Sequence, residues 1–470
     1  MFVQRILLLL VVITTPLRAE EVALPEEMAT RPIDQVVEAL VAAGLERNLG
    51  LAAQSLDLQR AEQALNEARA ALRPQLDLNA RYSVSRGGRD IDVPLSDLLN
   101  PVYSTLNQLL QQQGQSAQFP TLEQTSFSLL REHEQDTRLT LRQLLYAPAA
   151  RANVDRFAAE REAFEAELER FRQQLARDIR IAYYGWSQAR AALAIVDASL
   201  MVLAENVRVS QALYDNGKVT RDQVLRAEAE RLELEQEQSR SRAQVAIARR
   251  YLNFLLDWPL DQQIAASRQQ QPLPLLSLPS LESLEQQTLQ GRMELTRLDA
   301  ALRAAEATER AARASRGPTL SAQLDVGIQG ETYGFGPGKN QSIASLVLSV
   351  PITDGGARRA RQAQARLQRE RLEIDRQQLE RQLRLDLRAA LERLDTALKG
   401  YSSAEARVAA AREAFRIASR KRDVGSINQV EFIDAERSQT RAELNLNLTR
   451  FDVLIRRAEL AYSAALDRPL

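Results

Sequence analysis

In the stretch RDVGSINQVEFIDAER, residues 422–437, two carboxylates, Glu431 and Asp434, stand three positions apart just beyond Gly425. At i and i+3 they leave from one face of a helix, where like charges cost an isolated helix about 0.2–0.5 kcal/mol. Such a pair is either ordinary solvated surface or a cluster that concentrates cations and impedes anions. Other chemistry is scarce. The chain has no cysteine and one histidine, His133, which excludes thiol chemistry, disulfide frameworks and Cys/His zinc sites. No nucleophile–histidine arrangement, phosphate-binding glycine loop or clustered ligand set occurs, so neither enzymatic activity nor a cofactor or metal is expected. GFGPG (334–338) is glycine-rich but falls between alternating segments and opens no helix, which fits a hairpin turn.

Composition limits the scaffold that can carry the carboxylates. A chain of 470 residues with 62 basic and 62 acidic side chains is too large for one simple core, and it is no strongly basic nucleic-acid binder. Its mixed charges read as solvated helix faces. At the start, MFVQRILLLLVVITTPLRAEE has a basic residue, an apolar run from Ile6 to Ile13 and a small-residue exit at Ala19. That pattern predicts a signal peptide over residues 1–19 and export from the cytoplasm. No cysteine follows the run, so no lipid anchor is expected there. Nothing further along approaches the ~20 apolar residues of a spanning helix, so any membrane crossing must use strands.

The remainder is a tandem duplication. LYDNGKVTRDQVLRAEAERL (213–232) lies over KRDVGSINQVEFIDAERSQT (421–440), with Gly217 on Gly425 at an offset of 425 − 217 = 208. LTLRQLLYAPAARAN (139–153) lies over LVLSVPITDGGARRA (346–360), with Arg151 on Arg358 at 358 − 151 = 207. Pro74 and Pro318, which precede alternating segments, differ by 318 − 74 = 244, so the first half holds 244 − 207 = 37 extra residues, within Arg86–Asp136. The first repeat is read as 20–256 and the second as 281–470, with a Pro- and Gln-rich linker at 257–280.

Each repeat has strands between helices. Leu76, Leu78, Ala80, Tyr82 and Val84 alternate with Asp77, Asn79, Arg81 and Ser83, the period of a strand with one apolar and one polar face. Leu320–Ile328, Leu139–Leu141 and Ala344–Val350 repeat it, which predicts strands at about 74–86, 136–147, 318–330 and 342–353. Their length suits a tilted transmembrane strand.

Long helices follow the strands. Ala182, Trp186, Ala189, Leu193, Val196, Leu200, Leu203 and Val207 recur at spacings of three and four, as do Leu387, Leu391, Leu394, Leu398 and Tyr401. These are coiled-coil seams, and Arg151–Tyr214 alone would extend about 95 Å. Gly217 and Gly425 release the backbone, so each long helix is expected to turn and run back. The opening stretch is thus the tip of a helical hairpin. Its apolar residues Val219 and Ile427 are expected to be exposed there, as a partner-binding patch or as a capping contact within the turn.

The paired tips YDNGKVTRDQVLRAEAER and RDVGSINQVEFIDAER, with RPQLDL before a strand and ITDGGARRA after one, resemble the TolC family of outer-membrane efflux and secretion ducts over about residues 30–465. The resemblance implies a homotrimer, mainly α with transmembrane β. Four strands from each subunit would form one 12-stranded barrel in outer-membrane lipid, and the hairpins an α-barrel across the periplasm. It further implies docking of a periplasmic adaptor and an inner-membrane transporter at Gly217, Lys218, Val219, Thr220 and Gly425, Ser426, Ile427, Asn428. The same resemblance places Glu431 and Asp434 in acidic rings at a periplasmic constriction and makes Arg422, Asp222 and Gln223 candidates for a closed-state link. Ducts of this type serve tripartite efflux pumps or type I secretion, with specificity residing in the inner-membrane partner. Physical reasoning agrees on oligomerisation, because four strands leave open edges that lipid cannot satisfy. The competing reading, a soluble periplasmic coiled-coil scaffold, leaves the alternating strands unexplained.

Overall fold

The computed structural model describes residues 31–128, 130–267, 279–466 and 468. The expected signal peptide and most of the linker lie outside the described residues. Within each repeat the chain runs through two helices, two sheet strands, a very long helix and a shorter one. The first has α1 (Ile33–Arg47), α2 (Leu49–Ala70), β1 (Gln75–Val84), the inserted β2 (Asp90–Val93), α3 (Leu95–Gln112) and β3 (Thr125–Ser128), then β4 (His133–Tyr146), α4 (Pro148–Asp215) and α5 (Arg221–Leu255). The second has α6 (Leu281–Gly291), α7 (Met293–Ala314), β5 (Thr319–Gly330), β6 (Asn340–Ser349), α8 (Ala357–Asp423) and α9 (Gln429–Ser463). The long helices have 68 and 67 residues and the return helices 35 each, so the duplicated hairpins match almost residue for residue.

Two compact units share the chain, one made of Asp57–Glu165 and Arg297–Arg376 and the other of Met1–Leu56, Ala166–Thr296 and Gln377–Leu470. The first contains a four-stranded antiparallel sheet in the order β1-β4-β5-β6, so strands from both repeats pair at β4 and β5. The 37-residue surplus of the first repeat appears here as β2, α3 and β3, with β2 and β3 forming a separate two-stranded ribbon.

In the second unit helices pack on helices. Leu284, Leu387, Leu394, Val453 and Leu460 are fully buried together, and Leu391, Leu398 and Tyr401 pack against them, which is the expected seam. Tyr183 and Trp186 pack with tilted rings in the corresponding part of α4, their centroids 5.6 Å apart. Toward its tip α4 departs from expectation: Val196, Ser199, Leu203, Asn206 and Ser210 are buried, while Leu200 and Val207 are only half-buried. The buried positions keep the spacing of three and four, but the second position of the seam is moved by one residue, from Leu200 and Val207 to Ser199 and Asn206. Among the described residues no helix is long and apolar enough to cross a membrane.

Candidate functional site

Both hairpin tips are built by one backbone device. Gly217 and Gly425 adopt φ of 69° and 71°, the left-handed conformation that ends a helix. Gly217 N–H donates to Tyr214 O at 2.8 Å and Lys218 N–H to Leu213 O at 2.9 Å; Gly425 and Ser426 repeat this toward Arg422 O and Lys421 O at 2.9 and 2.8 Å. A side chain at either glycine would meet nothing within 4 Å, so the requirement lies in the backbone angle alone.

The return helices begin four positions after each glycine, at Arg221 and Gln429. Asn428 caps α9, its side-chain oxygen accepting the Glu431 amide at 2.8 Å, and Glu431 is the third helical residue, as in a capping box. Thr220 and Gln223 hold the same positions on α5, although the Thr220 hydroxyl donates to Asp222 instead. Val219 and Ile427 precede the caps. Both are half-buried rather than exposed, and each stands five positions before a buried residue, Val224 or Phe432, the spacing of a hydrophobic staple. The most open apolar residue of the tips is Val424, 77% exposed.

Glu431 and Asp434 are both exposed on α9, while Phe432, Ile433 and Glu436 face inward. Lys421 Nζ lies 3.6 Å from the Glu431 carboxylate. The first repeat has no matching acid pair, since Gln223 and Arg226 occupy the equivalent positions (431 − 208 and 434 − 208), and Arg226 Nε reaches Asp222 at 4.0 Å. Arg422 is half-buried with its guanidinium 4.1 Å above the Phe432 ring, and burial pushes its pKa down. Among the described residues of the chain no hydrogen bond or ion pair joins Arg422 to Asp222 or Gln223, and one Arg422 nitrogen (Nη2) is buried without a hydrogen-bond partner.

Sequence reasoning missed what ties the hairpins together. Arg437 on α9 is held by Glu230 of α5, with Glu233 3.7 Å away, and these acids push the Arg437 pKa up. Beside them Glu436, only 5% exposed, accepts hydrogen bonds from Ser199 of α4 and from Thr440. Burial pushes the Glu436 carboxyl above its ordinary value. The available signal was the repeat itself, because Glu436 aligned with Glu228 within the quoted tip motif.

In the other unit the sheet sorts its side chains into two faces. Leu76, Leu141, Leu324 and Ala344 form one cross-strand row, and Leu78, Leu139, Val326 and Ser342 the next. Their leucines are solvent-exposed in the single chain, Leu76 at 66% and Leu78 at 68%. The opposite face is polar: Asp136 pairs with Arg138, and Asp325 accepts from Thr140 Oγ1 at 2.6 Å and Gln323 Nε2 at 2.7 Å. Buried, hydrogen-bonded Asp136, Thr140 and Asp325 behind exposed leucines invert the pattern of a water-soluble sheet.

Comparison with known proteins fits this geometry. Residues 284–465 match the family model "Outer membrane efflux protein". No curated protein matches the chain. Among solved structures, a membrane protein from Pseudomonas aeruginosa is 20% identical with a TM-score of 0.75, covering 93% of this chain and 95% of its own. The CmeC outer membrane channel of Campylobacter jejuni gives 16% and 0.77, over 92% of this chain and 86% of its own. The open state of the Neisseria gonorrhoeae MtrE outer membrane channel gives 19% and 0.72, over 92% and 89%. Residues 284–465 thus carry the outer membrane efflux protein domain, and the chain shares the fold of these outer membrane channels over nearly its whole length.

Proposed function

We propose that three copies of this chain form the outer-membrane exit duct of a tripartite efflux pump or type I secretion system. The carrying observation is the four-stranded sheet, whose outer strands β1 and β6 each keep one edge unpaired among the described residues. Every unpaired backbone group in lipid costs several kcal/mol, so such a sheet can enter a bilayer only when other copies complete it. Its apolar rows would face lipid and its Asp, Arg, Thr and Gln face an aqueous lumen. A soluble scaffold would leave Leu76, Leu78, Leu346 and Leu348, all at least 65% exposed, in water without a partner.

At the periplasmic end the turns Gly217–Thr220 and Gly425–Asn428 would meet an adaptor protein that links the duct to an inner-membrane transporter. Three copies would bring six carboxylates from Glu431 and Asp434 around one axis, and a cation-attracting constriction follows. Arg422, Asp222 and Gln223 remain candidates for links between neighbouring copies. The mass of the detergent-solubilised protein tests the reading. It should correspond to three chains and persist in mild detergent, and a stable monomer with a closed barrel would overturn it.

A further inference from the structure

The insertion between β1 and β4 presents a surface that the duct reading does not use. α3 divides into three sectors. One is clasped by its own chain: Asn100 donates to Leu122 O at 2.9 Å and accepts from Leu122 N–H at 2.8 Å. One turn-pair further along, Asn107 donates to Phe119 O at 2.7 Å and accepts from Phe119 N–H at 3.0 Å, with Tyr103 stacked on Phe119 at 5.3 Å. The segment 118–122 is thereby held along the helix by side-chain amides that imitate a strand ladder. A second sector is polar. The third is a stripe of Leu95, Leu98, Val102, Leu106 and Leu109, spaced three, four, four and three, each 37–67% exposed. That spacing is a coiled-coil seam with no partner among the described residues of the chain.

We propose that the α3 seams of three copies pack together about the three-fold axis as a helical cap at the outer mouth of the barrel. The inference rests on the trimeric reading above. Two observations select a second copy of this chain as the occupant. The first is continuity: the insertion springs from β1, the edge strand whose free side the neighbouring copy must complete, and Ser85 N–H to Glu132 O at 2.8 Å extends the β1–β4 ladder toward it. It leaves from the end of the strands opposite to α2 and α4, the same end as the β5–β6 turn. The second is charge. Asp97 is the only charged residue from 95 to 122, whereas a helix that lies on anionic headgroups carries Lys and Arg along its polar face. Three seams with no basic residue can approach one another without repulsion, and Asp97 sits in the first turn, where the helix dipole favours it. Scale is compatible too: 18 residues extend about 27 Å, and 12 tilted strands enclose a mouth about 24 Å across.

The chain is free of cysteine, so single thiols report without background. In the full-length protein, Val102→Cys places a thiol on the seam and Ser104→Cys one on the polar sector. Oxidation of purified trimers should convert up to two-thirds of the Val102→Cys chain to disulfide-linked dimers, the ceiling when three thiols meet, because a disulfide needs Cα atoms within about 7 Å. Ser104→Cys should give almost none. Trimers of normal mass in which Val102→Cys forms no dimers overturn the cap alone. Quenching of a bimane attached to the Val102→Cys thiol by nitroxide-labelled lipid also overturns it, since the helix would then lie on the membrane. A preparation that is not trimeric overturns both the cap and the reading beneath it.

Discussion

The side-chain oxygen of Asn428 accepts the backbone N–H of Glu431 at 2.8 Å, so the acid that faces a proposed pore is also the third residue of a capped helix. Its charge sits at the positive end of the α9 dipole, beside Lys421 at 3.6 Å. Replacement by alanine keeps that backbone bond but removes the polar atoms of the side chain together with its charge. Gln and Asn separate them.

Glu431→Gln combined with Asp434→Asn keeps the hydrogen-bonding groups and removes two charges per chain. Single channels in planar bilayers should lose cation selectivity, with the reversal potential in a salt gradient moving toward zero. Folding stability should change by less than about 0.5 kcal/mol, as for exposed substitutions. Wild-type selectivity in this variant would make the two acids ordinary solvated surface.

Arg422 leads to a second experiment. Its guanidinium rests over Phe432 at 4.1 Å, an arrangement worth about 0.5–2 kcal/mol, and Phe432 in turn packs 5.6 Å from Phe415. Arg422→Ser removes both the stacking cation and any link to a neighbouring hairpin, so single-channel conductance should rise. If the link dominates, Phe432→Leu should leave conductance unchanged. If the stack dominates, Phe432→Leu should raise it as well.

The parts legible in the sequence are those set by short-range periodicity. Leu76–Val84 reads as a strand because alternation and apolar face coincide, and Leu387 and Leu394 read as core because seven residues return a helix to nearly the same side. Over longer spans the seam could not be followed, and Ser199 and Asn206 took the buried places assigned to Leu200 and Val207. Val219 and Ile427 were expected to be exposed because a turn residue has no visible neighbour in one dimension; position relative to the caps at Thr220 and Asn428 half-buries them. The amide clasps of Asn100 and Asn107 span 22 and 12 residues, beyond any local pattern.

That correction changes which tip residue should matter to a docking partner. Val424 is 77% exposed beside Gly425, while Val219 and Ile427 are half-buried at the staple positions. Val424→Asp should abolish or strongly reduce export in cells while leaving trimer mass intact. Val219→Asp and Ile427→Asp should instead lower tip stability, by roughly 1 kcal/mol each, and so impair export through folding. Normal export by the Val424→Asp strain would remove this residue from the docking surface.

Glu436 supplies a prediction in pH. It is 5% exposed, on α9 between Ser199 of α4 and the Glu230–Arg437 pair that joins α5 to α9. Burial pushes its carboxyl up; the hydroxyls of Ser199 and Thr440 and the Arg437 charge oppose the shift, and Glu230 adds to it. A carboxyl with a raised folded-state value binds its proton more tightly folded than unfolded. Its stabilising contribution is fully present below the ordinary value of 4.5 and is lost as pH rises through the folded-state value. Glu436→Gln keeps an acceptor for both hydroxyls and cannot ionise. Thermal unfolding of the detergent-solubilised protein should then show a variant no more stable than wild type near pH 4 and increasingly more stable as pH rises to 8, where the curves run parallel. A variant that is less stable at every pH would mean that the ionised carboxylate holds the hairpins together.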